Sequence, residues 1–294
     1  MKSPTDRASS RDPEPPLFTR YGFTRTGLPD APLRIEPYPA IATHGALRAT
    51  VVASAIDLVG GLFTRAIAGV DATFTSDLSL RIPSPGRPPR LLAHGEILRA
   101  GRRLVTTGVR IEREDVRGAV STPGARRPSR VPRVLRPGEA MPDVETLSTP
   151  ATIERHPLAQ PLDAAVGVEV VEATPGLVRL ALRPALRNPE GVMQGALYAL
   201  LAECAGLARA GADLGVPHVV TALDLRYLAA ATVGPVEARA DWIGTNASRM
   251  LHVEIRDRGR DDRLTTTAWL QLVPAIVGSA PADPADREGD AAWT

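Results

Sequence analysis

The sequence predicts an α+β protein made of two similar halves, in each of which an antiparallel sheet wraps around one central helix. Three observations lead to this prediction. Each half contains one long apolar stretch of helical length, and shorter stretches that alternate between apolar and polar residues as strands do. A proline-rich stretch separates the two halves. Because the elements follow one another in the same order, we interpret the halves as an internal repeat.

The second half has the clearer pattern. Gly195–Leu214 is apolar on nearly all faces, which is typical of a helix that is buried on most sides. Gly215 and Pro217 are expected to end this helix. Strands are expected at Val166–Val171, Leu177–Leu182, Val219–Leu228, Val236–Ile243, Met250–Asp257 and Leu264–Val273.

The first half repeats this order with less regular patterns. A helix is expected near Ala46–Ala68, where apolar residues again dominate. Strands are expected at Thr73–Ile82, Arg90–Leu98, Leu104–Glu112 and Val116–Ser121. When the two helices are superposed, Asp57 falls on the position of Glu203, and Asp77 on that of Asp224. The two strand aspartates are expected to point outward from the sheet.

Composition divides the chain further. Residues 1–18 and 278–294 are predicted to be disordered tails, because they have too few apolar residues to bury. The proline-rich residues 123–150 are predicted to be a linker. The predicted domains are therefore 19–122, the more degenerate copy, and 151–277.

Composition also argues against several classes of protein. The 294 residues suit one large domain or two domains of ordinary size, and 44% hydrophobic with 23% charged residues argues against global disorder. A net charge of +2 gives no reason to expect a nucleic-acid partner. The single cysteine excludes an internal disulfide, and the dispersed histidines give no metal site. No signal peptide and no window of about 20 apolar residues is evident, so we expect a cytoplasmic protein without a membrane partner.

Glu203 is the strongest candidate for chemistry on the residue pattern alone. It lies in the middle of the second apolar helix, beside Leu200, Cys204 and Leu207. A carboxylate in apolar surroundings is costly unless hydrogen bonds compensate, and such a group is a candidate general base. The alternative is that Glu203 lies on a narrow solvated face, but only Arg209 could share that face.

A motif immediately before this helix carries a resemblance to a known family. It resembles that of hotdog-fold acyl-CoA thioesterases of the phenylacetate-pathway and 4-hydroxybenzoyl-CoA types, which have Asn, Gly, His-Gly-Gly and an acidic residue at a characteristic spacing. The matching residues are Asn188, Gly191, Gly195 and Glu203. Gln194 replaces the histidine and Ala196 the second glycine, and the resemblance covers roughly 155–274.

The resemblance implies a tandem double hotdog that hydrolyses acyl-CoA or another acyl thioester without a metal or other cofactor. It assigns Gly195 to the oxyanion donor, because a free amide at a helix N-terminus can stabilise a developing negative charge. Asn188 and Gln194 would support that loop, and Gly191 would contact the substrate. A homo-oligomer of the double hotdog is an open alternative to a single chain.

Helix geometry adds a constraint on where the acid comes from. Gly195 and Glu203 are eight residues apart, which is about 12 Å along one helix. The two residues therefore cannot contact the same carbonyl group, since each contact requires a distance of about 3 Å. A working site must combine the N-terminus of one helix with an acid of the other.

Two pairings satisfy this constraint. Asp57 can serve the loop that ends at Gly195, or Glu203 can face the turn formed by His44 and Gly45. We favour Asp57 with the second-half loop, because His44 precedes Asp57 by one helical turn more than the motif has. The alternative for Asp57 is a structural acid that is hydrogen-bonded inside the fold.

Thr221 completes the set of candidate residues. It follows Glu203 by eighteen positions, where the family can have a serine or threonine that orients water. Cys204 has no evident base nearby and is expected to be a packed small residue.

The sequence thus predicts a thioester hydrolase that uses carboxylate-activated water. The main alternative is a non-catalytic protein with an acyl-thioester binding or a regulatory role. The replacement of the motif histidine by Gln194 suggests this alternative. A hydratase is a third class, and it would require His44 near an aspartate.

Overall fold

The computed structural model describes residues 15–68, 71–83, 85–86, 90–114, 120–121, 129–140, 153–188 and 190–275. Its α-helices are α1 (Ala49–Ala68), α2 (Leu162–Val166) and α3 (Gly195–Leu214). Short 3-10 helices lie at Leu17–Arg20, Pro39–Ile41, Pro184–Leu186 and Asn246–Ser248. Helix α3 has the predicted bounds, and it ends at Gly215, whose φ of 67° continues the chain in the left-handed conformation.

Sixteen strands are described. Those of the first half are β1 (Phe23–Arg25), β2 (Leu33–Ile35), β3 (Ala42–Thr43), β4 (Ala46–Leu47), β5 (Asp71–Thr75), β6 (Asp77–Arg81), β7 (Leu91–Ala100), β8 (Leu104–Glu114), β9 (Val120–Ser121) and β10 (Ser129–Ala140). Those of the second half are β11 (Val168–Glu172), β12 (Leu177–Leu180), β13 (His218–Tyr227), β14 (Val236–Trp242), β15 (Met250–Asp257) and β16 (Arg263–Pro274).

Fourteen of these strands form one antiparallel sheet, and β3 and β4 form a separate hairpin. The order in the large sheet is β1-β2-β7-β8-β10-β6-β13-β16-β15-β14-β12-β11, while β5 pairs with β10 and β9 with β8. The two halves have the same strand order if β5 and β6 are counted as one interrupted strand and β9 is left out. From its outer edge inward, the first half runs β1, β2, β7, β8, β10 and β6, and the second half runs β11, β12, β14, β15, β16 and β13. In both halves the third strand of the sheet in chain order therefore lies innermost, next to the other half. The predicted α+β class with an antiparallel sheet and a central helix is confirmed.

The two halves of the sheet meet at β6 and β13, with Leu80 opposite Leu223. Alternation places Leu78, Leu80, Leu223 and Leu225 in the core, and each of them is at most 1% exposed. Asp77 and Asp224 lie on the other face, where they form ion pairs with Arg226 and Arg81. Their predicted outward orientation is confirmed.

Helices α1 and α3 contact one another and lie against the sheet. In α3 the residues from Leu197 to Gly206 are all buried, including Glu203. In α1 the absence of a side chain at Gly60 allows the helix to pack closely on the sheet, since a Cβ there would lie 2.8 Å from the Thr107 hydroxyl oxygen. The apolar pattern of both helices thus reflects contact on most sides.

The structure corrects two expectations. Strand β10 lies inside 123–150, so the linker interpretation is wrong for Ser129–Ala140; Pro132 and its neighbours pair with β8. Helix α1 is also long and apolar enough to count as a candidate membrane span, with a mean hydropathy of 1.5 over Ala49–Ile67, contrary to the sequence-based expectation. More than half of that segment is buried inside the protein, as in the core helix of a folded domain.

Four predicted segments fall wholly or partly outside the described residues, among them the strand Val116–Ser121, of which only Val120 and Ser121 are described. The first tail, 1–18, is described only from residue 15, and the second, 278–294, lies entirely outside. The remaining parts of the predicted linker and the exact domain boundaries stay predictions.

Candidate active site

The two long helices run antiparallel, and each presents an acidic residue to the first residues of the other. Both helices have 20 residues, and the acid is the ninth residue in each, Asp57 in α1 and Glu203 in α3. Glu203 contacts the start of α1, and Asp57 lies beside the start of α3. We call these two places the Glu203 end and the Asp57 end.

At the Glu203 end both carboxylate oxygens accept hydrogen bonds from the start of α1. One oxygen accepts the Ala49 amide at 3.1 Å, and the other accepts the Thr50 amide at 3.1 Å and the Thr50 hydroxyl at 2.6 Å. Glu203 is 1% exposed. These bonds satisfy amides that a helix N-terminus leaves without partners, and the helix dipole favours the negative charge there. Glu203 therefore caps α1 from the side.

A buried arginine accompanies this cap. Arg48 directly precedes α1, and its guanidinium lies 2.9 Å from a carboxylate oxygen of Asp163 in α2 and 3.9 Å from the sulfur of Cys204. Burial on its own would lower the pKa of Arg48, but the negative charges of Glu203 and its neighbours outweigh burial and raise it. Burial also raises the pKa of the Cys204 thiol, to about 12.

The Asp57 end is arranged differently. Asp57 Oδ1 accepts hydrogen bonds from the Thr75 hydroxyl at 2.5 Å and from Arg133 Nη1 at 2.9 Å. Oδ2 points towards α3, at 3.6 Å from the place where a Cβ on Gly195 would lie. The side chain of Asp57 is 32% exposed. One oxygen is thus fixed, while the other faces the start of α3.

The first residues of α3 lie beside this carboxylate, and their amides have no described hydrogen-bond acceptor. Within the described part of the chain, no acceptor is found for the amides of Gly195 and Ala196. A Cβ on Gly195 would have Asp57 Oδ2 as its one neighbour within 4 Å, so the absence of a side chain leaves space at this point. Free amides and a carboxylate oxygen therefore line one partly exposed space.

Tyr227 forms one side of the Asp57 end. Its hydroxyl donates to the carbonyl oxygen of Gly195 at 3.4 Å, and its ring meets that of Tyr198 edge-to-face at 5.6 Å. Burial, and then the negative charge of Asp57, raise the pKa of Tyr227 well above its ordinary value. The phenol therefore stays protonated at neutral pH and remains a donor.

The sequence patterns do not single out Thr75, Arg133 or Tyr227 as site residues. A signal existed for Thr75, because it follows Asp57 by the same eighteen positions that separate Thr221 from Glu203. Arg133 gave no such signal, since it lies in the stretch that was interpreted as a linker. Strand pairing alone brings it to Asp57, because Arg133 is opposite Thr75 in the sheet.

In the loop before α3, the predicted polar residues Asn188 and Gln194 form hydrogen bonds with the backbone of the loop. Asn188 Oδ1 accepts the amide of Val192, and the side-chain amide of Gln194 donates to the carbonyl oxygens of Ala185 and Arg187. Gly191 has a φ of 77°, a conformation that favours glycine. These contacts indicate that Asn188 and Gln194 hold the N-terminus of α3 in place.

The predicted partner of Glu203 is wrong. His44 and Gly45 form the turn between β3 and β4, both with positive φ, and both are exposed. Glu203 bonds instead to the helix start at Ala49, because Arg48 and Ala49 precede Asp57 by the same spacing at which Gln194 and Gly195 precede Glu203. No hydrogen bond or ion pair in the described residues joins His44 to either acid, which removes the geometric basis of the hydratase alternative.

Thr221 also lies away from both acids. Its hydroxyl donates to the Gln271 carbonyl at 3.2 Å, at a position where a bulge interrupts the pairing of β13 with β16. It lines a cleft on the sheet surface together with Trp269. The predicted water-orienting contact to Glu203 is therefore not formed. Among the described residues, no group of three or more His, Cys, Asp or Glu is placed to hold a metal ion.

Comparison with known proteins gives a family match in the first half. Residues 44–120 match the model of the thioesterase superfamily. This segment contains α1 and Asp57, whereas the motif resemblance was found in 155–274. No curated protein sequence matches the chain.

Solved structures match most of the chain. A protein described as a thioesterase II from Thermobifida fusca matches with 13% identity and a TM-score of 0.51, covering 89% of this chain and 100% of that one. A protein described as an oleoyl thioesterase from Lactobacillus plantarum has 13% identity, a TM-score of 0.50 and coverage of 86% and 96%. The tesB protein of Mycobacterium avium subsp. paratuberculosis has 12% identity, a TM-score of 0.50 and coverage of 82% and 92%. At such identities the likeness concerns the fold alone: the chain shares a hotdog fold with these proteins, and residues 44–120 match the thioesterase superfamily model.

Proposed function

We propose that the chain is a double hotdog and that its function is to hydrolyse acyl thioesters, of which acyl-CoA is the substrate we expect. The tandem arrangement is supported by the strand order that both halves share, and by two helices of equal length that start opposite each other's acids. An experimental structure in which the two halves of the sheet did not meet at β6 and β13 would contradict it.

The observation that carries the enzymatic proposal is the position of Asp57 Oδ2 in front of the α3 N-terminus. Hydrolysis of a thioester needs a base for water and a donor for the oxyanion, both within about 3 Å of the reacting groups. Asp57 supplies an oxygen without a described hydrogen bond, and Gly195 supplies a free amide. No such pair of free groups exists at the Glu203 end, where the amides and the carboxylate bind each other.

The proposed reaction follows from this geometry. The thioester carbonyl oxygen accepts the Gly195 amide, which polarises the carbonyl and stabilises the oxyanion of the tetrahedral intermediate. Asp57 Oδ2 takes a proton from water as the water oxygen bonds to the carbonyl carbon. The carbon–sulfur bond then breaks, and Asp57 gives the proton it took from water to the leaving thiolate, which regenerates the carboxylate. The products are a carboxylic acid and a free thiol.

The direct test is a hydrolysis screen over acyl-CoA substrates of different chain length, followed by detection of the free thiol. In Asp57→Asn the side chain keeps its size but loses its basic oxygen, so the rate should fall by about 10² to 10⁴. Glu203→Gln serves as the matched control, and its rate should fall much less. A large loss in the Glu203 variant alone would keep the activity and move the site to the other end.

Binding without hydrolysis is the second function that an observation favours. Both donors of the Gln194 side-chain amide are used by backbone carbonyls, and a glutamine cannot act as a base where the family has histidine. If the wild-type protein binds acyl-CoA in a titration but releases no thiol, and Asp57→Asn binds equally well, the protein is an acyl-thioester binding protein.

A further inference from the structure

Arg133 reaches the Asp57 end from a strand outside the segment that matches the thioesterase superfamily. That segment ends at residue 120, whereas Arg133 lies in β10. Its neighbours in that strand alternate, with Val131 fully buried and Val134 39% exposed. Arg133 therefore shares the inward direction of Val131, and its side chain is 13% exposed.

The guanidinium group joins three elements at this point. Nη1 lies 2.9 Å from Asp57 Oδ1 and 2.7 Å from the Thr75 hydroxyl, and Nε lies 3.4 Å from the Thr73 hydroxyl. A Cβ on Gly61 would lie 3.4 Å from Nη1, so the glycine lets the guanidinium approach the α1 backbone closely. Helix α1, strand β5 and strand β10 thus hold one planar cation in a fixed place.

From this geometry we infer that Arg133 is a positioning residue for Asp57, which rests on the function proposed above. Arg133 and Thr75 both act on Oδ1, so rotation of the carboxylate is blocked and Oδ2 stays directed at Gly195. Without the cation, Asp57 keeps a single described side-chain partner, the Thr75 hydroxyl. The carboxylate is then free to rotate, and Oδ2 is no longer held in the direction of Gly195.

A planar guanidinium is required for this task. Nη1 donates to Asp57 and Thr75 while Nε of the same rigid plane donates to Thr73, whereas a lysine ammonium is a point charge on a flexible chain. The structure therefore predicts a graded series at position 133, with arginine most active, lysine intermediate and methionine least active. Arg130 is the matched control, because it lies in the same strand and is exposed.

The experiment measures kcat and KM for thioester hydrolysis in Arg133→Met, Arg133→Lys and Arg130→Met. A misplaced catalytic group costs up to about 10²-fold in rate, so kcat of Arg133→Met should fall by that order with little change in KM. Arg133→Lys should recover part of the loss, and added guanidinium ion at non-denaturing concentration should partly rescue Arg133→Met. Circular dichroism and the melting temperature show whether each variant is folded.

The outcomes separate this inference from the proposed function. If the wild-type protein hydrolyses no thioester, the proposed function fails and this positioning role with it. If the wild type is active and Asp57→Asn is not, but a folded Arg133→Met keeps its kcat, the positioning role alone is overturned. A loss that neither lysine nor guanidinium ion restores would also overturn it, since that result indicates a purely structural arginine.

Discussion

The Glu203 end and the Asp57 end differ by one methylene group in the acid that faces a helix N-terminus. Glu203 is long enough to reach the first amides of α1, and it binds two of them. Asp57 is shorter, and it binds the neighbouring Thr75 and Arg133 instead. The length of the side chain therefore separates an end that is closed by its own carboxylate from an end that has free amides.

Their surroundings reinforce the difference. The Glu203 end is buried, and Arg48 links it to Asp163 in α2, so ligand access would require α2 to move. The Asp57 end has a one-third exposed carboxylate and a glycine at the helix start. Of two helix starts that each face an acid, one can thus be closed by a structural cap while the other stays open to a ligand.

The largest effect is expected from lengthening the acid at the open end. In Asp57→Glu the carboxylate should reach the amides of Gly195 and Ala196 and occupy the place of the thioester oxygen. Hydrolysis should fall by about 10² to 10⁴, although the negative charge is kept. Steady-state kinetics on the best acyl-CoA substrate checks this. Near-native activity of this variant would show that side-chain length does not decide which end is open.

Removal of the acid at the closed end should affect stability and not catalysis. In Glu203→Ala the amides of Ala49 and Thr50 and the Thr50 hydroxyl lose their buried acceptor. Each buried donor left without an acceptor costs about 1–3 kcal/mol. The free energy of unfolding should fall by about 3 kcal/mol or more, as urea denaturation would measure. Glu203→Gln keeps an acceptor oxygen and should lose less. If catalysis fell more than stability, Glu203 would not be a structural cap.

An intermediate effect is expected when the space before Asp57 is filled. The added methyl group in Gly195→Ala lies at an ordinary contact distance of 3.6 Å from Oδ2, so the fold should tolerate it. The methyl group would block the carbonyl of the substrate, and kcat/KM should fall by about 10- to 10²-fold. Gly211→Ala in the same helix is the control, because a Cβ there meets nothing within 4 Å. Equal activity of the two variants would place the substrate elsewhere.

The smallest effect concerns Cys204, the single cysteine of the chain and a neighbour of Glu203. Since burial raises the pKa of its thiol to about 12, the thiol stays protonated at pH 8 and is a poor nucleophile. Reaction with a disulfide reagent should therefore be very slow in the native protein and become faster as pH rises. It should also accelerate in Glu203→Ala, where the closed end opens more often. Fast labelling of the wild type would mean that this end is not closed.

The sequence by itself determined the two helices that position the acids and much of the sheet in the second half. Helix Gly195–Leu214 and strand Met250–Asp257 have the predicted bounds, because apolar periodicity, a C-terminal glycine and strand alternation are local signals. It also singled out both acids, since a carboxylate in an apolar helix stands out without any knowledge of the fold. The 12 Å separation along one helix was sufficient to predict that the site combines two helices.

Strand β10 shows where local signals fail. Its prolines and arginines are typical of a linker, yet the strand pairs with β5 and β8 through residues far away in the chain. Prolines are tolerated where their missing amide is not required for pairing. Pairing of this kind depends on tertiary contacts, so Arg133 could not be predicted as a site residue.

Only the tertiary structure decided which acid is available. As carboxylates in apolar helices, Glu203 and Asp57 are both candidate bases. Whether a carboxylate oxygen is free to act as a base depends on the hydrogen-bond donors that lie on neighbouring helices and strands. Ala49 and Thr50 saturate Glu203, while Thr75 and Arg133 take one oxygen of Asp57 and leave the other facing Gly195. Hydrogen bonds are satisfied over a few ångströms in space, and the antiparallel packing of the two helices sets those distances.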